Sequence, residues 1–353
     1  MSKARQLADL GNVYDDGALS NRSRIINGAM VIDQRNAGAS VDTTNTSSTA
    51  YTLDRWGYRV LAASKFTIQQ NAGSVTPPVG FSSYLGCTSS STYSVGSGDV
   101  FNIWQIVEGY NIADLAFGTA SAQSITLSFW VRSSLTGTFS GAFRNGDGTR
   151  SYVFTYTINS ANVWEYKTVT IAGDQSGTWA TDNTAGLFIQ FSLGVGSTYA
   201  APSAGFWQSG NYFGLTSATS VVGTNGATFY LTGVQLEVGD TATPFEHRSY
   251  GQELALCQRY YTKLGGDALA DIYGAAYITG SGFILDTLTL PVKMRAAPTG
   301  TKVGTWSVLN VSQPGISYVS TTTFVLYAAG TAIGQGTFFN PALTGYLTFD
   351  AEL

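Results

Sequence analysis

The chain has 353 residues, enough for two or three separate cores, and a formal net charge of -4. Only 11% of the residues are charged, where about a quarter is usual, while 44% are apolar and 13% aromatic. One histidine, His247, excludes a multi-histidine metal centre and leaves any Ser-His-Asp or Cys-His arrangement a single candidate base; without a Lys/Arg cluster, nucleic acid is excluded as the main partner.

So little charge beside so much Gly, Ser and Thr predicts a contact surface built on β-structure, in a subunit whose faces are covered in an assembly. The two cysteines, Cys87 and Cys257, offer no disulfide framework and are expected to be buried free thiols. The opening residues lack the apolar core of a secretory signal, and no run reaches the roughly 18 to 20 apolar residues of a membrane span. Synthesis in a cytoplasm without membrane insertion is the expectation.

In chain order, residues 1–24 come first as an anchoring segment. Ala4, Leu7 and Ala8 fall at i, i+3, i+4, with Leu10 closing the pattern and Gly11 placed as a C-cap. A helix this short needs a partner, either copies of itself or a docking site; otherwise it is a frayed terminus.

Residues 25–250 are β-like. Ile125, Leu127, Phe129 and Val131 alternate, as do Tyr152, Phe154, Tyr156 and Ile158, and Leu187, Ile189, Phe191 and Leu193. Asn145-Gly146-Asp147-Gly148 is turn chemistry that tolerates positive φ. From Thr228 to Val238 the apolar phase slips at Gly233, which predicts a β-bulge. Many strands, frequent turns and no long helical pattern predict an all-β jelly-roll sandwich. Residues 251–258 form a short helical connector, or the last part of the first domain, with Leu254, Cys257 and Tyr261 on one face. Residues 259–353 then supply a small β domain, with strand-like runs at 283–290, 323–327 and 345–349.

Sugar recognition needs flat apolar rings beside hydrogen-bonding side chains. The loop-like stretch from Tyr199 to Phe213 has both, and its ligand candidates are Tyr199, Trp207, Gln208, Asn211 and Tyr212. The same rings suit a packed plug or a subunit contact. Trp130, on the polar face of its strand, has the same three readings, while Trp56 and Trp104 are expected in the core. Hydrolysis would need two carboxylates about 5 to 10 Å apart. Asp99, Asp147, Asp174 and Asp182 instead sit singly in turns, which predicts turn formers and no enzyme. A structural calcium ion is compatible with such a fold, but no loop matches a calcium pattern, and no other cofactor is expected. His247, between Glu246 and Arg248, is either an exposed connector residue or part of a pH-sensitive contact.

Several runs share an order: Arg24-Ile25-Ile26-Asn27-Gly28-Ala29-Met30-Val31-Ile32-Asp33-Gln34-Arg35-Asn36, then Tyr51-Thr52-Leu53-Asp54-Arg55-Trp56. After these come Ala227 to Gly239, Thr243-Pro244-Phe245-Glu246, Cys257-Gln258-Arg259-Tyr260-Tyr261 and Pro291-Val292-Lys293-Met294-Arg295-Ala296-Ala297-Pro298. Together with Ser2 to Ala8 they resemble tail-fibre and related appendage proteins of tailed bacteriophages and prophages. The resemblance implies a jelly roll related to carbohydrate-binding modules, homotrimeric assembly and a place on the virion exterior. It also implies attachment to other virion proteins through Ala4, Leu7, Ala8 and Leu10. Host cell-surface polysaccharide is the implied partner of a non-catalytic tail fibre; a head-fibre or capsid-decoration role is the alternative. Enzymatic tailspikes carry a repetitive β-helix, and no such period runs through this chain.

Overall fold

A computed structural model describes residues 22–44, 50–280 and 282–353. The expected N-terminal helix, with Ala4, Leu7, Ala8 and Leu10, lies outside the described residues. The chain divides into two compact units, Met1–Ser249 and Tyr250–Leu353.

The first unit contains β1 (Val41–Asp42), β2 (Ala50–Tyr51), β3 (Gly57–Val60), β4 (Phe66–Gln70), β5 (Leu85–Ser89) and β6 (Val100–Glu108). It continues with β7 (Ile125–Ser133), β8 (Gly137–Asn145), β9 (Arg150–Ile158), β10 (Glu165–Ile171), β11 (Ala185–Val195), β12 (Trp207–Ser209) and β13 (Thr228–Val238). One sheet has the order β1-β4-β5-β13-β7-β10 and the other β12-β9-β8-β11-β6-β3-β2, with every pairing between these strands antiparallel. The two pack face to face as a jelly-roll sandwich.

The alternation in the sequence decides which side chains fill it. Leu127, Phe129 and Val131 from β7 meet Leu187, Ile189 and Phe191 from β11 in one core, and the Phe129 and Phe191 rings pack edge to face at 5.0 Å. Trp56 is fully buried, with its indole N–H donating to the Asn27 carbonyl at 3.0 Å. Trp104 is also buried but lies on the opposite face of its strand from Ile103, against Tyr51 at 5.0 Å and Phe188 at 6.2 Å. The phase slip in β13 is a register shift between Thr232 and Gln235, with Gly233 at φ 60°. A side chain at Gly233 would also strike the Phe81 ring at 2.6 Å, so the bulge needs glycine twice over.

The second unit opens with α1 (Tyr250–Gln258), which buries Glu253 and Cys257, one turn apart; Leu254 is only half-buried. Three small sheets follow. One has β14 (Tyr261–Leu264), β22 (Tyr346–Asp350) and β17 (Thr299–Val303); a second has β15 (Tyr273–Ile278), β21 (Gly334–Phe339) and β18 (Ser307–Leu309); a third has β16 (Phe283–Thr289), β20 (Thr323–Ala329) and β19 (Gly315–Ser317). They enclose their own core around Trp306, Phe324, Phe338 and Phe349. Both cysteines are buried and neither forms a disulfide, and burial pushes the Cys87 thiol up. Among the described residues, no helix is long and apolar enough to cross a membrane.

Candidate functional site

The aromatic stretch is distributed over several places. Trp207 pairs with Tyr152 through β12 and β9, and its ring stands edge-on to Phe117 and Trp179 at 5.9 and 5.4 Å. Its indole N–H donates to the Ala172 carbonyl at 2.7 Å. Gln208 Nε2 donates to the Ser203 carbonyl at 3.0 Å. Tyr212 is half-buried against Ala142, Val153 and Ala201, and Tyr199 meets Phe213 edge-on at 5.5 Å. Asn211 Oδ1 accepts from the Arg144 guanidinium. The five residues thus form no single platform.

Arg144 explains how this stretch is held to the seven-stranded sheet. Its guanidinium lies 4.4 Å from the Phe213 ring and 4.6 Å from the Phe188 ring. The Gln190 amide, with its oxygen towards Arg144, accepts from Nε at 2.6 Å and from Nη2 at 3.2 Å. Burial, with the Arg59 charge adding to it, brings the Arg144 guanidinium down to about 9. Arg59 shares the Phe213 ring at 5.1 Å. Two cations therefore clamp one ring, and the loop is fixed in place.

Beside this clamp the structure leaves a cleft of about 310 Å³. Its walls are the end of β11 (Ser192, Gly194, Val195, Gly196, Ser197), the turn at Val95 and Ser97, and the segment from Leu215 to Ser220. Backbone bonds make the frame rigid. Gly196 N–H donates to the Asp99 carbonyl at 2.9 Å, Thr198 N–H to Ser97 at 3.0 Å, Thr219 N–H to Thr138 at 2.7 Å and Val221 N–H to Leu193 at 2.8 Å. Gly196 has to be glycine, because a Cβ there would lie 2.0 Å from the Gly96 carbonyl oxygen. Register shifts between Ser192 and Gly194, where β11 meets β6, turn the strand end outward.

The lining carries no charged side chain. It presents the hydroxyls of Ser97, Ser192, Ser197, Thr216, Thr219 and Ser220 beside the apolar Val95, Val195 and Leu215. Among the described residues, no hydrogen bond engages those six hydroxyls. Each can therefore donate one bond and accept two, in a cleft at the lower end of the roughly 300–1,000 Å³ range of small-ligand sites. Such a lining can hold an uncharged polyhydroxylated ring. With no carboxylate in it, this cleft offers no acid or base for glycoside cleavage.

The four candidate carboxylates are engaged elsewhere. Asp99 accepts from the Tyr93 hydroxyl at 2.8 Å and from Gly96 N–H at 2.7 Å. Asp147 and Asp182 each accept from a threonine two residues on, Thr149 and Thr184, as turn formers. Asp174 takes both forks of Arg150, at 2.7 Å each. His247 is exposed, its ring 4.9 Å from Phe245 and 5.4 Å from Phe81. Among the described residues, no three His, Cys, Asp or Glu side chains gather as a metal site. The cleft hydroxyls, Arg59 and Arg144 were not singled out from sequence. Serines and threonines in turns carry no mark of convergence, and Gly194-Val195-Gly196 is the one local hint of a crowded strand end.

No family model matches this chain, and no curated protein matches it. Among solved structures it is similar to the enzymatically active domain of tailspike protein 4 of bacteriophage CBA120, at 12% identity over 62% of this chain and TM-score 0.33. The match spans 22% of that chain. It is also similar to TmCBM61 solved with β-1,4-galactotriose (10% identity, 62% of this chain and 100% of that one, TM-score 0.30). A third is the family 11 carbohydrate-binding module of the Clostridium thermocellum cellulase Lic26A-Cel5E (13%, 59% and 100%, TM-score 0.26). Likeness at this level assigns neither ligand nor activity to this chain.

Proposed function

We propose that this chain is a non-catalytic glycan-recognition subunit of a bacteriophage appendage, acting as a homotrimer on the virion exterior. The observation that carries the recognition half is the uncharged cleft with six disengaged hydroxyls around apolar side chains. Sugar hydroxyls are donors and acceptors at once, and such walls match them without the cost of burying an unpaired charge. The ordered run of sequence motifs supports the appendage half, with attachment through the N-terminal segment.

A small uncharged cleft binds weakly by itself. A millimolar site supplies only about 4 kcal/mol, and linking three copies raises avidity by roughly 10² to 10⁴. That arithmetic makes trimerisation part of the function.

The test is an array of bacterial surface glycans probed with the intact chain and with the double substitution Ser197→Leu and Thr216→Leu. Both positions are exposed cleft walls, so the fold is expected to be unchanged. Retention of a glycan by the wild type and at least a tenfold loss in the double variant is the expected outcome. Equal retention by both, or release of sugar fragments, contradicts the proposal. Locating the chain by cryo-microscopy distinguishes a tail fibre from capsid decoration.

A further inference from the structure

We infer that the outer faces of β15–β21–β18 and β16–β20–β19 are where copies of this chain meet one another. This rests on the trimeric part of the reading above and gives it a place. Along β15 and β16 the strands alternate, and large apolar residues stand on both phases. Ile278 and Ile284 point into the core of the second unit, whereas Tyr273, Tyr277, Phe283 and Leu285 point away from it, exposed by 51% to 71%. Leu309 on β18 joins them, and β15 and β16 lie side by side.

The register shows what surrounds these residues. Tyr273, Ala275 and Tyr277 pair with Phe339, Thr337 and Gln335; Phe283, Leu285 and Thr287 pair with Ala329, Tyr327 and Val325. No charged side chain occurs among these outward positions. The remaining sheet of the same unit, β14–β22–β17, is the internal contrast, since Lys263 on β14 and Asp350 on β22 occupy its outward positions.

Size and composition point to a second copy as the occupant. Five large side chains more than half exposed, at roughly 150–250 Å² for each aromatic, leave on the order of 600 Å² of apolar surface in water. That is the upper limit for a single patch on a monomer, about 300–600 Å². With the half-buried Val325, Tyr327 and Phe339 it approaches the roughly 800 Å² that each partner buries in a stable interface. An uncharged face meets its own copy without like-charge repulsion, and permanent homo-oligomer interfaces are the most apolar class. A copy is also the one partner present wherever the chain is made.

The experiment is sedimentation equilibrium of the full chain as wild type, as Tyr277→Asp with Leu285→Asp, and as Thr301→Asp, an exposed control on the charged sheet. We expect a trimer for the wild type and the control, and at least a hundredfold weaker association for the double variant. A double variant that stays trimeric overturns this inference and leaves the trimer to another surface. A monomeric wild type overturns both this inference and the trimeric reading. Hydroxyl-radical footprinting of the assembled wild type gives a second readout if the double variant fails to fold. Tyr273, Tyr277 and Phe283 are expected to be protected while Tyr318, 84% exposed, is labelled; full labelling of all four also overturns the inference.

Discussion

The two units of this chain are made of the same antiparallel material but treat their outer surfaces differently. In the first, rings that leave the main core are mostly covered again. Tyr84 and Tyr230 pack 5.1 Å apart with Trp164 beside them, Arg132 lies over Tyr230, and Arg144 pins Phe213 to the sheet. In the second, alternate residues of β15 and β16 stay in water, and eleven of the seventeen large apolar side chains exposed among the described residues belong to this unit. A strand apolar on both phases needs two partners. The first unit supplies its own second layer, whereas the second unit leaves the outer phase of β15 and β16 exposed.

The comparison breaks if the two cores are not independent, so the largest predicted effect is a core truncation. Trp56→Ala removes a fully buried ring and one of the two donors to the Asn27 carbonyl, the other being the Met30 N–H at 3.1 Å, at an expected cost of about 3–5 kcal/mol. Denaturant unfolding of the full chain is expected to show the first unit's transition move to lower concentration with the second unit's unchanged. A shift of both together would mean one cooperative core.

A smaller effect sharpens how the first unit secures its margins. Burial alone would raise the Glu165 carboxyl, but the Lys167 ammonium at 2.7 Å and the amides of Asn159 and Ser160 at 2.8 Å outweigh it and hold it at about 2. A carboxyl depressed below its ordinary 4.5 contributes stability that is complete above about pH 4.5 and is lost as pH falls towards 2. Glu165→Gln is therefore expected to destabilise by about 1 kcal/mol at neutral pH and by nothing measurable near pH 2. An equal penalty at both pH values would show that the contact does not depend on charge.

The smallest effect concerns the second unit's outer face. Tyr277→Ser is expected to change the unfolding free energy of dissociated chains by less than about 0.5 kcal/mol, because the ring has few neighbours to lose. Thermal unfolding at high dilution checks this. A large loss there would mean that the ring belongs to the unit's own packing.

Much of this fold is legible in the alternation. The strands at Ile125–Ser133, Arg150–Ile158, Ala185–Val195 and Thr228–Val238 coincide with their apolar periods, and the Gly233 slip is a bulge because only glycine tolerates that φ and that crowding. The order of strands in the two sheets is not legible, since local period carries no information about which strand pairs with which. The helix begins at Tyr250, one residue before the expected 251, because its apolar pattern is too short to fix an end. For the site, ring-rich residues draw attention in a sequence, yet Trp207 and Tyr212 lean on neighbours far along the chain. The cleft is built from serines and threonines at 97, 192, 197, 216, 219 and 220, whose convergence exists only after folding. The run Phe283-Ile284-Leu285 is legible as a strand, but its unbroken apolar character does not say which phase the core takes, and Ile284 alone of the three is buried.

The most direct test of the central claim, that this chain holds a glycan in the β11 cleft without altering it, is equilibrium binding of one array-selected oligosaccharide to wild type and to the Ser197→Leu, Thr216→Leu variant, with the recovered sugar weighed by mass spectrometry. The account predicts saturable wild-type binding, at least a tenfold loss in the variant and a sugar of unchanged mass. Undiminished binding by the variant, or a shortened sugar, would contradict it.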